Sequence, residues 1–387
     1  MTAARLRQVA SAPGTAPRAR QSPPSYCRNR PPGLSHRDPG QRRHPLSVSA
    51  PSDSAVDFRS LLCVELEHAG LLPDLEQVRL CRRDVTRIGA EEAAALAGVV
   101  GAPLWVQALD RLGRPCPQAD SERVLGFGTM LTAFMLPPVR IDEALSREVL
   151  TLGAHANLLV GLFDLVADEC PDAALPLSRA LVEEACAGRG RIRLAWRAHT
   201  GTPVARLLTR MLSGYVRRLD RLPYAGRHGQ VRALQSRAIL AMHDAELRTL
   251  GPASGVTDRV MRRKSALPFV VMGMAGWLAV EWVPPPAFRA HLRWLYRVGS
   301  FLGWIDDAAD LGADLAAGRP NRVATALARE GNGSARDDAE RLARAIASAG
   351  TRIMAERMAA LPSGHPGAAA GDVLPTVVLS WLDAIPR

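Results

Sequence analysis

Four aspartates, Asp306, Asp307, Asp310 and Asp314, lie in the segment FLGWIDDAADLGADLAAGRPNR (residues 301–322). If this segment is a helix, Asp306, Asp310 and Asp314 follow one another at i, i+4 spacing, with Asp307 beside Asp310. No Lys or Arg lies among them to balance the charge. Crowded carboxylates of this kind suit Mg²⁺, which binds through a few carboxylates and completes its shell with water and phosphate oxygens.

The same segment carries an apolar stripe opposite the acids. Such a stripe predicts a helix that packs against neighbours, with the acids facing a cavity or water. The alternative is a solvated acidic face on the protein surface. The residues of the stripe are Leu302, Ile305, Ala309, Ala313 and Ala316.

A second acidic pair ends the predicted helix at residues 142–169. Asp164 and Asp168 are one helical turn apart, with Glu169 adjacent, and the apolar run LLVGLF precedes them. Carboxylates are unfavourable near the C-terminus of a helix, and a bound cation would relieve that cost. An exposed acidic helix end is the alternative.

The amino-acid sequence of the first acidic segment resembles the second aspartate-rich motif of the trans-isoprenyl diphosphate synthases. In that family an aspartate doublet, a third and a fourth aspartate lead into a Gly-Lys-Pro turn. Here DDAADLGAD leads into GRPN, and Arg319 takes the place of the lysine.

The resemblance, which extends to the class I terpene synthases, implies roles for both acidic clusters. Asp164 and Asp168 would bridge metal ions from one wall of a pocket, and Asp306 would bind a third ion from the opposite wall. Asp307 and Asp310 would be auxiliary ligands. The implied cofactor is three Mg²⁺ ions, with Mn²⁺ as an alternative, and the implied substrate is a prenyl diphosphate.

A basic segment between the two clusters completes the resemblance. RRKSALPF, residues 262–269, is similar to the family's Lys-Thr element. This likeness implies that Lys264 and its neighbour Arg263 contact the diphosphate, together with Arg319 from the turn.

The first acidic pair departs from the pattern of the chain-elongating enzymes. DLVADECPD has Leu165 in the second position of the doublet, and no Arg pair follows to hold a second diphosphate. The DxxxD form is closer to squalene and phytoene synthases and to some terpene cyclases. We therefore expect cyclisation of one linear prenyl diphosphate, with condensation of two prenyl diphosphates as the second interpretation.

The composition favours an all-α fold. Aromatic residues make up only 5% of the 387 residues, and Ala, Leu and Arg dominate over β-branched runs. We expect one helical domain over residues 55–387, and the resemblance implies a class I isoprenoid synthase bundle with a central cavity. Helices are predicted over 56–72, 74–82, 90–100, 121–135, 142–169, 175–187, 203–219, 228–250, 258–280, from 284 into the acidic segment, 335–358 and 373–382. Gly299 and Gly303 are predicted bends in the helix that begins at 284.

The net charge of +11 is concentrated at the N-terminus. Residues 1–55 hold nine Arg against Asp38 and Asp53, and are rich in Pro and Ser. We expect a disordered basic tail over residues 1–54, which leaves open a targeting segment or an over-extended start. A non-enzymatic protein that binds nucleic acid through this tail is the remote alternative, which deletion of residues 1–55 would test.

Cellular context and assembly follow from weaker signals. The six cysteines are scattered without a CxxC pair, which indicates reduced thiols in a cytoplasmic protein. The longest apolar run, residues 266–280, is too short to cross a bilayer. The oligomeric state stays open, a homodimer included.

Two other features carry weaker predictions. His243 and Asp244 form an HD doublet like that of metal-dependent phosphohydrolases, an alternative enzyme class. The basic cluster at residues 189–197 is predicted to be a solvated loop and helix start rather than a phosphate site. Four aromatic residues near the motifs could stabilise a carbocation or simply pack in the core: Phe163, Trp277, Phe301 and Trp304.

Overall fold

A computed structural model describes residues 57–73, 75–100, 118–169, 179–187, 203–250, 256–329, 334–362, 365 and 373–383. Within these ranges the chain forms thirteen α-helices and no strand, which confirms the all-α class. None of these helices combines the length and apolar character needed to cross a membrane. The predicted tail and the basic cluster at residues 189–197 lie outside the described residues.

The described helices belong to one compact unit, Ala55–Arg387. In chain order they are α1 (Phe58–His68), α2 (Leu75–Val100), α3 (Gln118–Phe134), α4 (Glu143–Glu169), α5 (Arg179–Cys186), α6 (Pro203–Leu219), α7 (Gly229–Thr249), α8 (Asp258–Met274), α9 (Pro285–Ala309), α10 (Leu311–Ala317), α11 (Arg322–Arg329), α12 (Ala335–Ala360) and α13 (Val373–Asp383). A 3₁₀ turn, Ala275–Leu278, extends α8.

Polar caps fix the starts of the helices that matter for the site. Asp142 accepts a hydrogen bond from the backbone N–H of Ala144 at 2.9 Å and so begins α4. The Thr257 hydroxyl accepts one from the N–H of Val260 and begins α8. At α1 the cap is Asp57, which accepts from the N–H of Ser60 at 3.2 Å, so this helix starts two residues later than predicted.

Helix α8 is the central neighbour in the part of the fold that carries the candidate residues. It packs against α7 on one side and α9 on the other, and it also contacts α4. The buried face of α9 includes Leu295, Leu302 and Ile305, none of which has measurable exposure. Each such side chain contributes roughly 1.5–3 kcal/mol by burial, so the core holds α9 firmly against α8.

Glycines of α2 and α3 lie where these two helices contact each other. Residues 74–82 and 90–100, predicted as separate pieces, are parts of the single helix α2. Gly89 of α2 lies where a Cβ atom would be 1.8 Å from the carbonyl oxygen of Glu122, and Gly126 of α3 lies equally close to Val85. These glycines let α2 and α3 approach to backbone contact.

The same correction applies to α9, where Gly299 and Gly303 were expected as bends. The helix runs through both, and each faces α8: a Cβ atom on Gly303 would be 2.3 Å from the side chain of Ser265. Close packing against α8, rather than a bend, explains both glycines.

The acidic segment is not one uninterrupted helix. Asp310 leaves helical geometry, with φ −94° and ψ 3°, and α9 ends there while α10 begins. No residue of α10 is buried, so Ala313 and Ala316 do not extend the apolar face as expected. The segment then turns into α11, a helix that the sequence analysis did not predict.

Candidate functional site

Three helices bring opposite charges together around one lysine. The Nζ atom of Lys264, on α8, lies 2.9 Å from Oδ1 of Asp164 on α4. It also lies 2.9 Å from Oε1 of Glu246 on α7. The ammonium therefore bridges two carboxylates from two different neighbouring helices.

Lys264 balances only part of the negative charge of these two carboxylates. Oδ1 of Asp164 and Oε1 of Glu246 are both buried, and each forms an ion pair with Lys264 at 2.9 Å. Burial raises the pKa of Glu246 to about 7; Lys264 opposes the rise and the neighbouring Asp164 adds to it. The site thus holds more negative charge than one lysine balances.

Asp306 adds a further carboxylate from α9. The pKa of Asp306 is raised well above its ordinary value. The largest cause is burial, and the charges of Asp164, Asp310 and Asp307 add to it. Its side chain is nevertheless exposed. We refer to the partly exposed region around Asp164, Lys264 and Asp306 as the recess. Because Asp164 and Lys264 act on Asp306 electrostatically, these three predicted site residues lie within range of one another.

Asp307 lies in a different environment from that of Asp306. It is 7% exposed and lies beside the guanidinium of Arg322, with 3.9 Å between Oδ2 and Nε. Burial raises the pKa of Asp307 to about 7, against the effect of Arg322. Arg322 in turn stacks on Trp304, 4.2 Å from the ring centroid. Asp307 is therefore built into the packing of α9 against α11.

The GRPN turn has a clear local structure. Gly318 ends α10 with a left-handed backbone, φ 66°, which glycine adopts without steric cost. Asn321 donates from its amide group to the carboxylate of Asp314 at 2.9 Å and to the carbonyl of Asp307 at 2.7 Å. The backbone N–H of Arg319 donates to the carbonyl of Asp314 at 2.8 Å. Asn321, not predicted as important, organises this turn.

The remaining predicted residues are more loosely connected to the cluster. Asp310 and Arg319 are exposed, and Arg263 is partly exposed. The side chain of Asp168 lies outside what the structure describes, although its backbone continues α4. Among the described side chains, no group of three His, Cys, Asp or Glu residues is arranged to hold a metal ion by itself.

Pro268 perturbs α8 at the position of Lys264. Proline has no N–H, so the carbonyl of Lys264, four residues earlier, lacks its helical donor. The helix is therefore weakened locally where its side chain enters the acidic cluster.

The aromatic residues near the motifs are packed in the core. Trp277 has no exposed surface and donates from Nε1 to His291 at 2.8 Å. Phe301 is 2% exposed, and Phe163 stacks on His243 with 5.4 Å between ring centroids. A cavity of about 440 Å³ lies near the start of α7, lined by Asp220, Arg232 and Ser236 among others, at the opposite end of that helix from Glu246.

The HD doublet does not converge on one point. His243 is buried against Phe163, whereas Asp244 forms an ion pair with Arg179 of α5. Nδ1 of His243 lies 3.9 Å from Oδ1 of Asp244, and no third His, Cys, Asp or Glu among the described residues joins them in a metal-binding group. This arrangement gives the phosphohydrolase interpretation no support.

Glu246 is the residue of the cluster that the sequence analysis missed. It is 5% exposed and shares the buried face of α7 with Gln235, Ile239 and His243. These positions follow the helical i, i+4, i+8, i+11 pattern. A carboxylate on an otherwise buried face is a detectable signal, since an ionised group there needs a partner.

Comparisons with known proteins add no assignment: no protein-family model matches the chain, and no curated protein matches it significantly.

Proposed function

We propose that this protein is a Mg²⁺-dependent class I terpene synthase that ionises a linear prenyl diphosphate, releases diphosphate and cyclises the remaining chain. One observation carries the proposal. Nζ of Lys264 lies 2.9 Å from Oδ1 of Asp164, and the charges of both act on Asp306, which belongs to the second acidic cluster, far away in sequence. The two clusters and the lysine are the elements by which the sequence resembles that superfamily.

The donor set fits Mg²⁺. It consists of carboxylate oxygens, and the buried Oδ1 of Asp164 already lies beside a cation, the ammonium of Lys264, at 2.9 Å. Mg²⁺ needs only one or two protein carboxylates when substrate phosphates and water complete its shell. We assign Asp164, Asp168 and Asp306 as the ligands, with Asp310 as an auxiliary one. Asp307 is better assigned to holding Arg322.

Each residue then has a stated task. Bound Mg²⁺ would neutralise the negative charge that develops on the leaving diphosphate. Lys264 donates to phosphate oxygens from α8, and Arg263 and Arg319 are the further basic residues proposed to contact them. Burial and the charges of Asp164, Asp310 and Asp307 raise the pKa of Asp306, and a bound cation would offset the same repulsion.

The proposal includes the class I isoprenoid synthase bundle and a cavity for the prenyl chain. The all-α architecture supports it, as does the packing of α8 against α4, α7 and α9. A second candidate is the head-to-head condensation of two prenyl diphosphates, which the DxxxD spacing of Asp164 and Asp168 favours. Both reactions use the same metal and diphosphate contacts.

Product analysis tests the proposal. Full-length protein is incubated with Mg²⁺ and prenyl diphosphates of ten, fifteen and twenty carbons, with and without isopentenyl diphosphate. A hydrocarbon or alcohol formed from one allylic substrate alone supports the cyclase. A longer diphosphate, or a product with twice the carbon number, selects a transferase, and no consumption of any substrate contradicts both.

A further inference from the structure

Lys264 is the only lysine in a chain that has 49 lysine and arginine residues. At every other basic position the chain has arginine, in exposed helices as well as in the buried contacts of Arg322 and Arg357. The one lysine lies where three carboxylates act on it. This position therefore differs from the rest of the chain in residue type as well as in environment.

An ammonium can do two things here that a guanidinium cannot. It is a compact point charge on a flexible stem, whereas arginine presents a planar fork that favours one bidentate partner. Three donors on one atom let Lys264 contact Asp164 and Glu246 at 2.9 Å each and still direct a proton elsewhere. Lys264 can thus change one partner while it keeps the other.

Glu246 and Asp164 are not equivalent partners. The side chain of Glu246 is 7% exposed, and that of Asp164 is 45% exposed. Glu246 lies on the buried face of α7, which packs against α8, the helix that carries Lys264. Asp164 lies at the recess, within electrostatic range of Asp306. An entering cation can reach Asp164 but finds Glu246 covered by protein.

We infer that Glu246 is a positioning residue for Lys264: it keeps the ammonium at the recess while Asp164 exchanges its contact with Lys264 for a contact with a divalent cation. Lys264 thereby stays in place to donate to the diphosphate that arrives with the metal. In the ligand-free protein the same ammonium screens the repulsion between Asp164 and Asp306. This inference rests on the proposed function, since it concerns the same metal and diphosphate.

The contact itself can be measured without any substrate. Because the chain has one ε-amine, trace acetylation followed by mass spectrometry reports Lys264 alone, with the terminal α-amine as internal reference. Glu246→Gln should raise the acetylation rate of Lys264 at least fivefold. Glu92→Gln is the matched control, because Glu92 is also a partly buried carboxylate, bonded to Thr151 and remote from the recess. Circular dichroism verifies that each variant is folded.

The contribution of Glu246 to ligand binding is measured by calorimetric titration of inorganic pyrophosphate in the presence of Mg²⁺. Glu246→Gln should weaken binding at least tenfold, Glu92→Gln should bind as the unmodified protein does, and Glu246→Asp should recover part of the loss. Glu246→Gln combined with Lys264→Gln should lose little more than Lys264→Gln alone, because both changes remove one interaction.

The outcomes separate the inference from the proposed function. If the unmodified protein binds Mg²⁺ and pyrophosphate and Glu246→Gln binds equally well, Glu246 does not position Lys264 and the inference is overturned while the function stands. If the unmodified protein binds neither, the proposed function fails and the inference with it. If Glu246 were purely structural, Glu246→Gln would lower thermal stability, and its effect on pyrophosphate binding would add to that of Lys264→Gln.

Discussion

Gly303 of α9 faces Ser265 of α8 so closely that a Cβ atom on the glycine would lie 2.3 Å from the serine side chain. Ser265 follows Lys264 directly, and Gly303 is three residues before Asp306. The separation of the helices at this one contact therefore sets the separation of Lys264 and Asp306.

We expect Gly303→Ala to force α9 away from α8 and to lower the free energy of unfolding by about 1–3 kcal/mol. It should also weaken binding of Mg²⁺ and pyrophosphate, because the site residues move apart. Gly312→Ala is the control: Gly312 lies on exposed α10 with nothing within 4 Å of an added Cβ atom, so stability should rise by up to about 1 kcal/mol. Urea denaturation measures both, and equal effects would contradict the role given to Gly303.

His155 makes stability depend on pH in a predictable direction. Burial, with help from the charge of Arg218, lowers the pKa of His155 to about 4, and the neutral ring contacts Nη1 of Arg218 at 2.8 Å. Arg218 also pairs with Glu148. The unfolded chain takes up a proton below about pH 6.5, and the folded chain does so only near pH 4. Stability from this residue is complete above about pH 6.5 and is lost as the pH falls through that window.

We expect this loss to amount to roughly 2–3 kcal/mol. His155→Asn keeps an acceptor near the position of Nδ1 but cannot titrate. The difference in unfolding free energy between the two proteins, measured from pH 7.5 to pH 4.5, should change by that amount. A constant difference would mean that His155 takes up its proton at the same pH in the folded and unfolded states, which would contradict the prediction.

Arg357 is buried without an ion-pair partner among the described residues. It is 2% exposed, its Nε and Nη2 atoms have no hydrogen bond, and burial lowers its pKa to about 10. Its guanidinium contacts the rings of Trp294 at 5.2 Å and Phe134 at 5.8 Å.

Replacing Arg357 by methionine, of similar length, should therefore raise the free energy of unfolding by about 1–3 kcal/mol, because the desolvation of an unpaired charge outweighs the cation–π contacts. Arg218→Met is the matched comparison and should lower it, since Arg218 is paired. Thermal and urea denaturation of both variants provide the measurement; destabilisation by Arg357→Met would show that the guanidinium contributes net stability.

Asp306 and Asp307 are adjacent in sequence but should respond oppositely to neutralisation. At pH 8, Asp306→Asn removes repulsion in the recess and should leave stability unchanged or slightly raised. Asp307→Asn leaves Arg322 buried without its counter-charge and should lower stability by about 1–3 kcal/mol. Denaturation at pH 8 distinguishes them, and a loss of stability in both would place Asp306 in packed protein rather than at a recess.

Helix existence was largely predictable from the sequence, because apolar periodicity marks buried faces directly. The bounds of α6 were predicted without error, and those of α4 and α13 to within a residue. Gly299 and Gly303 were misinterpreted as bends, and the break predicted between residues 82 and 90 lies inside α2. A glycine that breaks a helix cannot be distinguished in the sequence from one that lets a neighbouring helix approach closely. The difference depends on which residues of the neighbouring helix pack against it.

The candidate site was predictable in part. Asp164, Lys264 and Asp306 were predicted as site residues from sequence motifs. They lie within electrostatic range of one another. Glu246 was missed because it belongs to no motif; only its position on a buried face distinguishes it. The different environments of Asp306 and Asp307 could not be read from the sequence, because they depend on the packing of α11 and Arg322.

The central claim is that Asp164 and Asp306 together bind a divalent cation that carries diphosphate. Calorimetric titration of Mg²⁺ and inorganic pyrophosphate into full-length protein tests it most directly, with Asp164→Asn, Asp306→Asn and, as a control outside the recess, Asp244→Asn. We predict binding by the unmodified protein and by Asp244→Asn, and a loss of at least tenfold in each of the other two. Absence of binding by the unmodified protein, or undiminished binding by both recess variants, would contradict the account.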